Sequence, residues 1–445
     1  MAGGIWQTQN KVLPGVYIRF QSSDGLNLAV GNRGTVAICE PMSWGPVGQI
    51  MTVEASTDTT PFCGYDITQP QARFLQQIFL GTNVTSAPVK VLLYRPSATR
   101  SSAAKATIAP LTATAIYPGV RGNDISVSVT ALTDPEDSFL VQTLVDGAVV
   151  DEQTAATVED LTPNEWVQWS GTGALAANTG TALTGGADGT VESAAYSTFL
   201  TNLEPYRFDI LIYDGDDSSV QTAMAAFVKR MCKENGRWCQ LVAAGLTNPD
   251  SQYVINLLNG VVLSDGTTLT PEQSTWWLGG AEAGALYNES LTYAQYPGAV
   301  DVSPKLTKTQ QIDAINAGNL VLSEEFGVVQ VVTDINSLLT YTPETGKIFR
   351  KNRVMRVCIS IANDIYAQFT QSFIGRVNNN DSGRNLFKAA IVGYMNQLQA
   401  AEAIQNFTAD DVEVLPGIET DAIVVNVAVQ TVDSVEKVYM TVTVS

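Results

Sequence analysis

Residues 207–245 constrain the architecture of this chain more than any other stretch. The run "RFDILIYD" (207–214) is almost continuously apolar, "SVQTAMAAFVKRMCKEN" (219–235) has helical spacing and stops at Gly236, and "RWCQLVAAG" (237–245) is apolar again. A strand, a helix and a second strand in that order close as a parallel pair, because the helix carries the chain back across one face of the sheet. A helix over "TQQIDAINAG" (309–318) and a strand over "GVVQVVT" (327–333) extend the same unit. Upstream, "TVAICE" (35–40), "QARFLQQIFL" (71–80) and "VKVLLYR" (89–95) read as strand, helix and strand of a smaller α/β layer.

Between these parts the period changes. Near residue 96 the composition shifts to small polar residues, and hairpin signals recur to about residue 190. The clearest is "FLVQTLVDGAVVDEQ" (139–153), where Asp146-Gly147 favours a type I′ turn. Residues 101–200 hold 2 basic residues, Lys105 and Arg121, against 12 acidic ones, which suggests an acidic β domain inserted at the surface.

Farther on, two apolar stripes return at helical spacing. Val354, Val357, Ile361, Ile365, Phe369 and Phe373 form the first. Leu386, Phe387, Ala390, Ile391, Tyr394, Leu398 and Ala401 form the second, with Ser382 as its expected N-cap. The chain then reads as β over "DAIVVNVAVQTV" (421–432), turns at "DSVE" (433–436) and closes on the alternating strand "KVYMTVTVS" (437–445). At the other end, "KVLPGVYIRF" (11–20) places Val16, Ile18 and Phe20 on one side and Tyr17 and Arg19 on the other. Pro14 there suits an edge strand or an extended arm.

Composition removes several function classes. The chain has 445 residues, long enough for two to four compact units, so burial is not limiting. It has no histidine, hence no Ser-His-Asp, Cys-His or His-metal chemistry. A net charge of −19 argues against a protein that grips nucleic acid or an anionic membrane. Five scattered cysteines without a C-x-x-C pair read as reduced thiols. The start "MAGGIWQTQNK" lacks the basic and apolar regions of a signal peptide, and neither secretion nor membrane insertion is expected.

The most enzyme-like feature is "YDGDD" (213–217), where Asp214 and Asp216 could hold Mg²⁺ at a strand end for phosphoryl or glycosyl transfer. Capping of the next helix by Asp216 or Asp217 is the preferred account. "PETGKIF" (343–349) lacks the flanking glycine and hydroxyl of a phosphate loop and reads as a turn. Glu324 and Glu325 read as solvent-facing carboxylates, and Cys232 and Cys239 as small buried apolar residues.

"KIFRKNRVMR" (347–356) resists such a reading. It holds Lys347, Arg350, Lys351, Arg353 and Arg356 and no acid, at a helix start where cations oppose the dipole. Arg353 and Arg356 are expected to project off the apolar stripe, so an intermolecular contact is favoured, with internal salt bridges the alternative.

Four segments in order, "PGVYI" (14–18), "YPGVRGNDISVSV" (117–129), "LTGGADG" (183–189) and the helical pair from Arg353 to Phe407, resemble the contractile-tail sheath proteins of phages, prophages and phage-derived bacteriocins. "GGIWQTQNKVLPGVYI" looks most like the branch of Gram-positive prophages.

The resemblance implies an α+β multidomain fold and a structural protein, not an enzyme, with no cofactor. Its α/β sheath core would be built from N- and C-terminal parts, with an inserted antiparallel β domain and extended β-strand arms at both termini. The expected parts are a linking arm (1–20), an N-terminal part of the core (21–95), the outer acidic β domain (96–189), an α/β sheath domain (190–345), a tube-facing domain with two long helices (346–432) and a second linking arm (433–445).

Sheath subunits stack as rings around an inner tube in a metastable extended state and contract to drive the tube through a cell envelope. Copies are joined by strands that the arms add to their neighbours. Val16, Tyr17, Ile18, Phe20, Val438, Met440, Val442 and Val444 would be the arm residues. The five cations at 347–356 would meet the tube or another subunit. Expected partners are further copies, the tube protein, the baseplate and the tail terminator, without nucleic acid or membrane, in a virion tail or tail-like particle assembled in the host cytoplasm. A non-contractile shell or surface-binding protein is the alternative, and a Mg²⁺-dependent transferase a remote one.

Overall fold

A computed structural model of the chain describes residues 2–4, 12, 13, 15–18, 33–134 and 137–444. The chain divides into two compact units: Met1–Ile38 with Phe74–Val91 and Glu204–Ser445, and Cys39–Arg73 with Leu92–Leu203.

In the first unit the expected crossover is present. Strands Ile210–Ile212 and Gln240–Ala244 pair in parallel, joined by the helix Ser218–Lys233. Five parallel strands run in the order Asn319–Leu320, Val254–Leu257, Gln240–Ala244, Ile210–Ile212 and Thr35–Cys39. Ile210–Ile212 and Gln240–Ala244 are buried throughout, which is why their segments read as apolar runs. Val328–Val331 instead pairs antiparallel with Leu322–Glu325 in a separate two-stranded ladder. Glu325 there meets Lys308 and Glu324 lies 3.8 Å from Lys305, so both carboxylates have partners at the surface.

One helix leaves no amphipathic signature. Pro271–Gly284 starts at a capping box in which Thr270 and Gln273 exchange hydrogen bonds, and it is buried on every side from Ser274 onward. A helix covered all round needs small residues where other backbone approaches. A Cβ on Gly280 would lie 2.0 Å from the Ile78 carbonyl oxygen, and one on Gly284 2.1 Å from that of Ser86. Trp277 of this helix stacks on Tyr296 with ring centroids 4.1 Å apart and donates to the Gly81 carbonyl at 3.0 Å.

The two long helices are Asn352–Ser372 and Asp381–Ala400. Val357 and Ile361 of the first pack with Phe387, Ile391, Tyr394 and Leu398 of the second. Phe387 sits between Phe369 and Phe373, 4.6 and 5.0 Å away in edge-on geometry. Ala390, expected on the apolar stripe, is exposed, and two further details differ from the sequence reading. Leu386 is 55 % exposed, because it lies one residue off the buried stripe. The second helix is capped by Asn380, which accepts from the Gly383 amide, while Ser382 falls inside the first turn.

Two short antiparallel ladders follow, Val412–Pro416 with Ile423–Val427 and Ile404–Gln405 with Gln430–Thr431. Near the N-terminus, Gly15–Tyr17 pairs in parallel with Ala2–Gly4.

The second unit contains an antiparallel β-sandwich. One sheet has the order Ala148–Ala155, Phe139–Val145, Ile125–Ala131, Asn178–Ala182, and the other Val167–Ser170, Leu111–Ala115, Lys105–Ile108. Val127, Val129, Val141, Leu111, Ala113 and Val167 are among the residues that fill the space between them. Asp146 and Gly147 take φ of 52° and 80°, the left-handed pair a type I′ hairpin needs.

The two glycine-containing motifs of this unit fold onto each other. The Asn123 carboxamide donates to the Gly186 carbonyl at 3.0 Å and accepts from its amide at 2.8 Å, and the Val120 amide donates to Asp188 at 2.8 Å. Arg121, buried against Tyr65 with 4.2 Å to the ring centroid, pairs with Asp124 and Asp146. Residues of "PGVRGND" and "GGAD" therefore stitch the domain together.

Candidate functional site

The basic run starts in a 3-10 turn, Lys347–Arg350, pinned by buried Phe349, and passes into the helix Asn352–Ser372. The first three turns of that helix are buried on all sides, so a side chain off the apolar stripe meets protein instead of solvent. Arg356 has no exposed surface. Its guanidinium forms ion pairs with Glu282 and, at 2.5 Å, with Asp334, and donates to the Glu289 carbonyl at 2.8 Å. Asn352 bridges the same two acids, 3.1 Å from Glu282 and 2.8 Å from Asp334.

This corrects the expectation that Arg356 reaches a partner. The Pro271–Gly284 helix and the segment around Asp334 cover the face that it was expected to present.

Arg353 is also buried, at 8 % exposed. Burial pulls its pKa down, while Asp433 and Glu402 raise it, so its nearby counter-charges also belong to this chain. Arg350 donates to the Ile315 carbonyl, and Lys351 pairs with Glu436. Of the five cations, Lys347 alone is exposed.

The buried cluster holds two acids close together. Burial, and after it the Asp334 charge, push Glu282 well above the usual carboxylate range. Burial would raise Asp334 too, but the Arg356 charge and the Leu291 amide outweigh it and hold Asp334 low. Burial and the Arg356 charge thus push the two acids apart, Glu282 up and Asp334 down, with both carboxyls against the same guanidinium. Arg33 adds a second cation, donating to the Glu282 carbonyl at 3.3 Å and lying 3.9 Å from Asp209.

The cluster continues to the root of the C-terminal segment. The Asp334 amide donates to the Thr292 hydroxyl at 3.0 Å, and that hydroxyl donates to Glu436 at 2.7 Å. The Thr333 hydroxyl is 3.5 Å from the other Glu436 oxygen, which Lys351 also meets.

Beyond Glu436 the chain leaves the fold. Residues 437–444 form no strand, and Val438, Met440, Val442 and Val444 are 73–89 % exposed. An internal pairing with 422–430 is not made, because Ile423–Val427 pairs with Val412–Pro416. At the other end Val16, Tyr17 and Ile18 are half-buried, and the Tyr17 hydroxyl donates to the Leu13 carbonyl at 2.7 Å. Phe20 lies outside the described residues.

The acidic strand end holds no cluster suited to a metal among the described residues. Asp214 accepts from the Trp276 indole at 2.7 Å, and Asp217 caps the helix Ser218–Lys233. Cys232 and Cys239 are buried, the first donating to the carbonyl of the second at 3.3 Å.

Glu282, Asp334 and Glu436 do not emerge from sequence reasoning. The capping box at Thr270 and Gln273 could have found the helix that carries Glu282, but nothing local marks the other two.

Comparison with known proteins agrees with this architecture. The chain matches the phage tail sheath protein central domain over residues 189–337, the phage tail sheath C-terminal domain over 344–445, the phage tail sheath β-sandwich domain over 99–188 and the tail sheath protein Gp18 domain III N-terminal region over 33–77. It is 32 % identical to the phage-like element PBSX protein XkdK of Bacillus subtilis, covering 100 % of both chains. The chain belongs to the phage tail sheath family.

The crystal structure of the sheath tail protein of Desulfitobacterium hafniense superposes with a TM-score of 0.85 at 39 % identity, covering 96 % of this chain and 99 % of that one. The contracted helical sheath of the anti-feeding prophage shares the fold at a TM-score of 0.56 and 14 % identity, covering 97 % and 99 %. Among the described residues no helix is long and apolar enough to cross a membrane.

Proposed function

We propose that this chain is the structural subunit of a contractile sheath, polymerising as stacked rings around an inner tube and shortening to drive that tube through a cell envelope. It works in a virion tail or tail-like particle, with the tube protein, baseplate and terminator as partners. Neighbouring copies are held through both terminal arms. The observation that carries this reading is the C-terminal segment: alternating β-branched residues, exposed on both faces and without a strand partner among the described residues. Such an edge is an aggregation hazard in a protein that acts alone, and a donor for strand addition in one that assembles.

An acceptor of matching kind is present in every copy. The ladder of Val412–Pro416 and Ile423–Val427 packs on the core of the two long helices and, among the described residues, has two strands, so its outer edges take no further strand. An arm from a neighbour added to it would satisfy both its own backbone and one of those edges. No nucleotide is needed for such a machine, since small free-energy differences per subunit add along an assembly that switches together.

Deletion of residues 438–445 tests the linkage. The truncated chain is expected to fold and remain soluble, and to form no long sheaths under conditions where the full chain does. Normal sheaths from the truncated chain would reject the arm reading. For contraction, particles imaged before and after a trigger should show two lengths and two diameters, and one length throughout would leave a passive shell.

A further inference from the structure

The polar contacts around Glu436 raise a question that strand addition alone does not answer: what aims the arm. Its apolar residues have no hold on their own fold, being 73–89 % exposed at Val438, Met440, Val442 and Val444. One residue before them is gripped, although Val435 ahead of it is 86 % exposed. Glu436 is 15 % exposed and receives Lys351 and the hydroxyls of Thr292 and Thr333, from three separate segments of the first unit. One residue after this grip the chain is exposed, at Lys437.

The grip is tied to rigid structure. Thr292 is bound by the Asp334 amide, Asp334 is paired with Arg356, and Arg356 is paired with Glu282 inside the core. Lys351 directly precedes the helix Asn352–Ser372, whose start is buried on all sides.

We propose that Glu436 is the anchor that fixes the root of the C-terminal arm, so that residues 437–444 are presented to a second copy of this chain from a defined point and in a defined direction. This rests on the arm reading given under the proposed function. Glu436 is a positioning residue: it acts by shortening the tether on which the arm searches. With Glu436 held, the middle of the arm hangs on about five residues, and without it on about nine, counted back to Val432, whose amide still donates to the Ala403 carbonyl. Effective concentration falls roughly as the −3/2 power of tether length, so release lowers it about 2.4-fold for each arm, before any loss of direction is counted.

The test uses the full-length chain. Lys351→Met removes the ionic half of the grip and leaves the residues around the tryptic site at Lys437 unchanged, while Glu436→Ala removes the anchor itself. Both variants are expected to raise the critical concentration for sheath formation about two- to threefold or more, read by sedimentation and electron microscopy. Some loss in thermal unfolding is expected as well, because Lys351 and Glu436 are only 25 % and 15 % exposed and removing one leaves the other's charge part-buried. Lys351→Met should also speed tryptic cleavage at Lys437 in the soluble subunit, a readout that a merely structural role elsewhere in the helix would not move. The exchange Lys351→Glu with Glu436→Lys should restore assembly, since the threonine hydroxyls can accept as well as donate.

Unchanged critical concentration in Glu436→Ala and Lys351→Met, alongside a 438–445 deletion that does not assemble, would overturn the anchor and leave the arm reading standing. A deletion that assembles normally would overturn both. If Lys351→Met fails to fold, Lys351→Gln takes its place, since it too leaves the residues around Lys437 unchanged: a cleavage rate equal to the native one counts against the anchor.

Discussion

Arg356→Met gives the sharpest test of how the buried charges hold the first unit together. Methionine keeps most of the side-chain volume and removes the charge, leaving Asp334 without its counter-ion and Glu282 with Arg33 alone. Arg356 and Glu282 have no exposed side-chain surface and Asp334 has 1 %, so solvent cannot compensate. Opposite unit charges 4 Å apart at an effective dielectric of 20 interact by about 4 kcal/mol. Removing one partner of a buried pair costs about 3–5 kcal/mol by mutation, a large part of the roughly 5–15 kcal/mol that holds a folded protein together.

The cost should depend on pH, and its sign follows from the two acids. In the native chain Asp334 is held low, so its contribution is present above the ordinary carboxylate range and lost as pH falls through its folded value. Without Arg356 both acids are raised by burial. A raised carboxyl contributes stability that is full below about pH 4 and lost as pH rises through its folded value. The deficit of the variant therefore widens between pH 5 and pH 8.

Urea unfolding followed by tryptophan fluorescence reads this directly. Trp277 is fully buried on the helix that carries Glu282. The triple variant Arg356→Met, Glu282→Gln, Asp334→Asn should recover most of the loss, because no uncompensated charge remains. A deficit under about 1 kcal/mol at pH 8, or one equal at pH 5 and pH 8, would refute the assignment of the cluster as a mutually dependent charge set.

Three further substitutions separate close packing from open surface and locate a second titrating group. Gly280→Ala forces a Cβ to within 2.0 Å of the Ile78 carbonyl oxygen and should cost at least about 3 kcal/mol in the same unfolding assay. Gly393→Ala, in the helix Asp381–Ala400 with nothing within 4 Å, should instead stabilise by about 0.5–1 kcal/mol; equal effects at the two sites would contradict the packing described. Asp364, pushed up to about 6 by burial against the opposing Tyr394 hydrogen bond, contributes stability that is present below about pH 4 and lost as pH rises through 6. Asp364→Asn should remove that slope, so a pH series of unfolding midpoints parallel to the native one would count against it.

Periodicity made the elements legible. The continuous run at Ile210–Ile212, the helical stripe of Ser218–Lys233 and the apolar Gln240–Ala244 required a parallel crossover, because a helix between two strands leaves no other short closure. The Asp146-Gly147 turn was readable for a similarly local reason: left-handed backbone at two successive positions suits few residue pairs. The helix Pro271–Gly284 was harder to see, since burial on every side erases the polar face that gives a helix its stripe.

Where the charges point was not legible. The spacing of Arg353 and Arg356 places them off the apolar stripe of their own helix, but an exposed face and a face covered by another part of the chain have the same spacing. Only the tertiary structure brought Glu282, Asp334 and Glu436, from positions 74, 22 and 85 residues away, to the basic run. The sequence by itself determined the strand, helix and hairpin pattern and the alternating exposed tail, because these depend on neighbours within a few residues. Which cations are spent inside the molecule, and where the tail is held before it leaves, was decided by contacts across the fold, which no local spacing encodes.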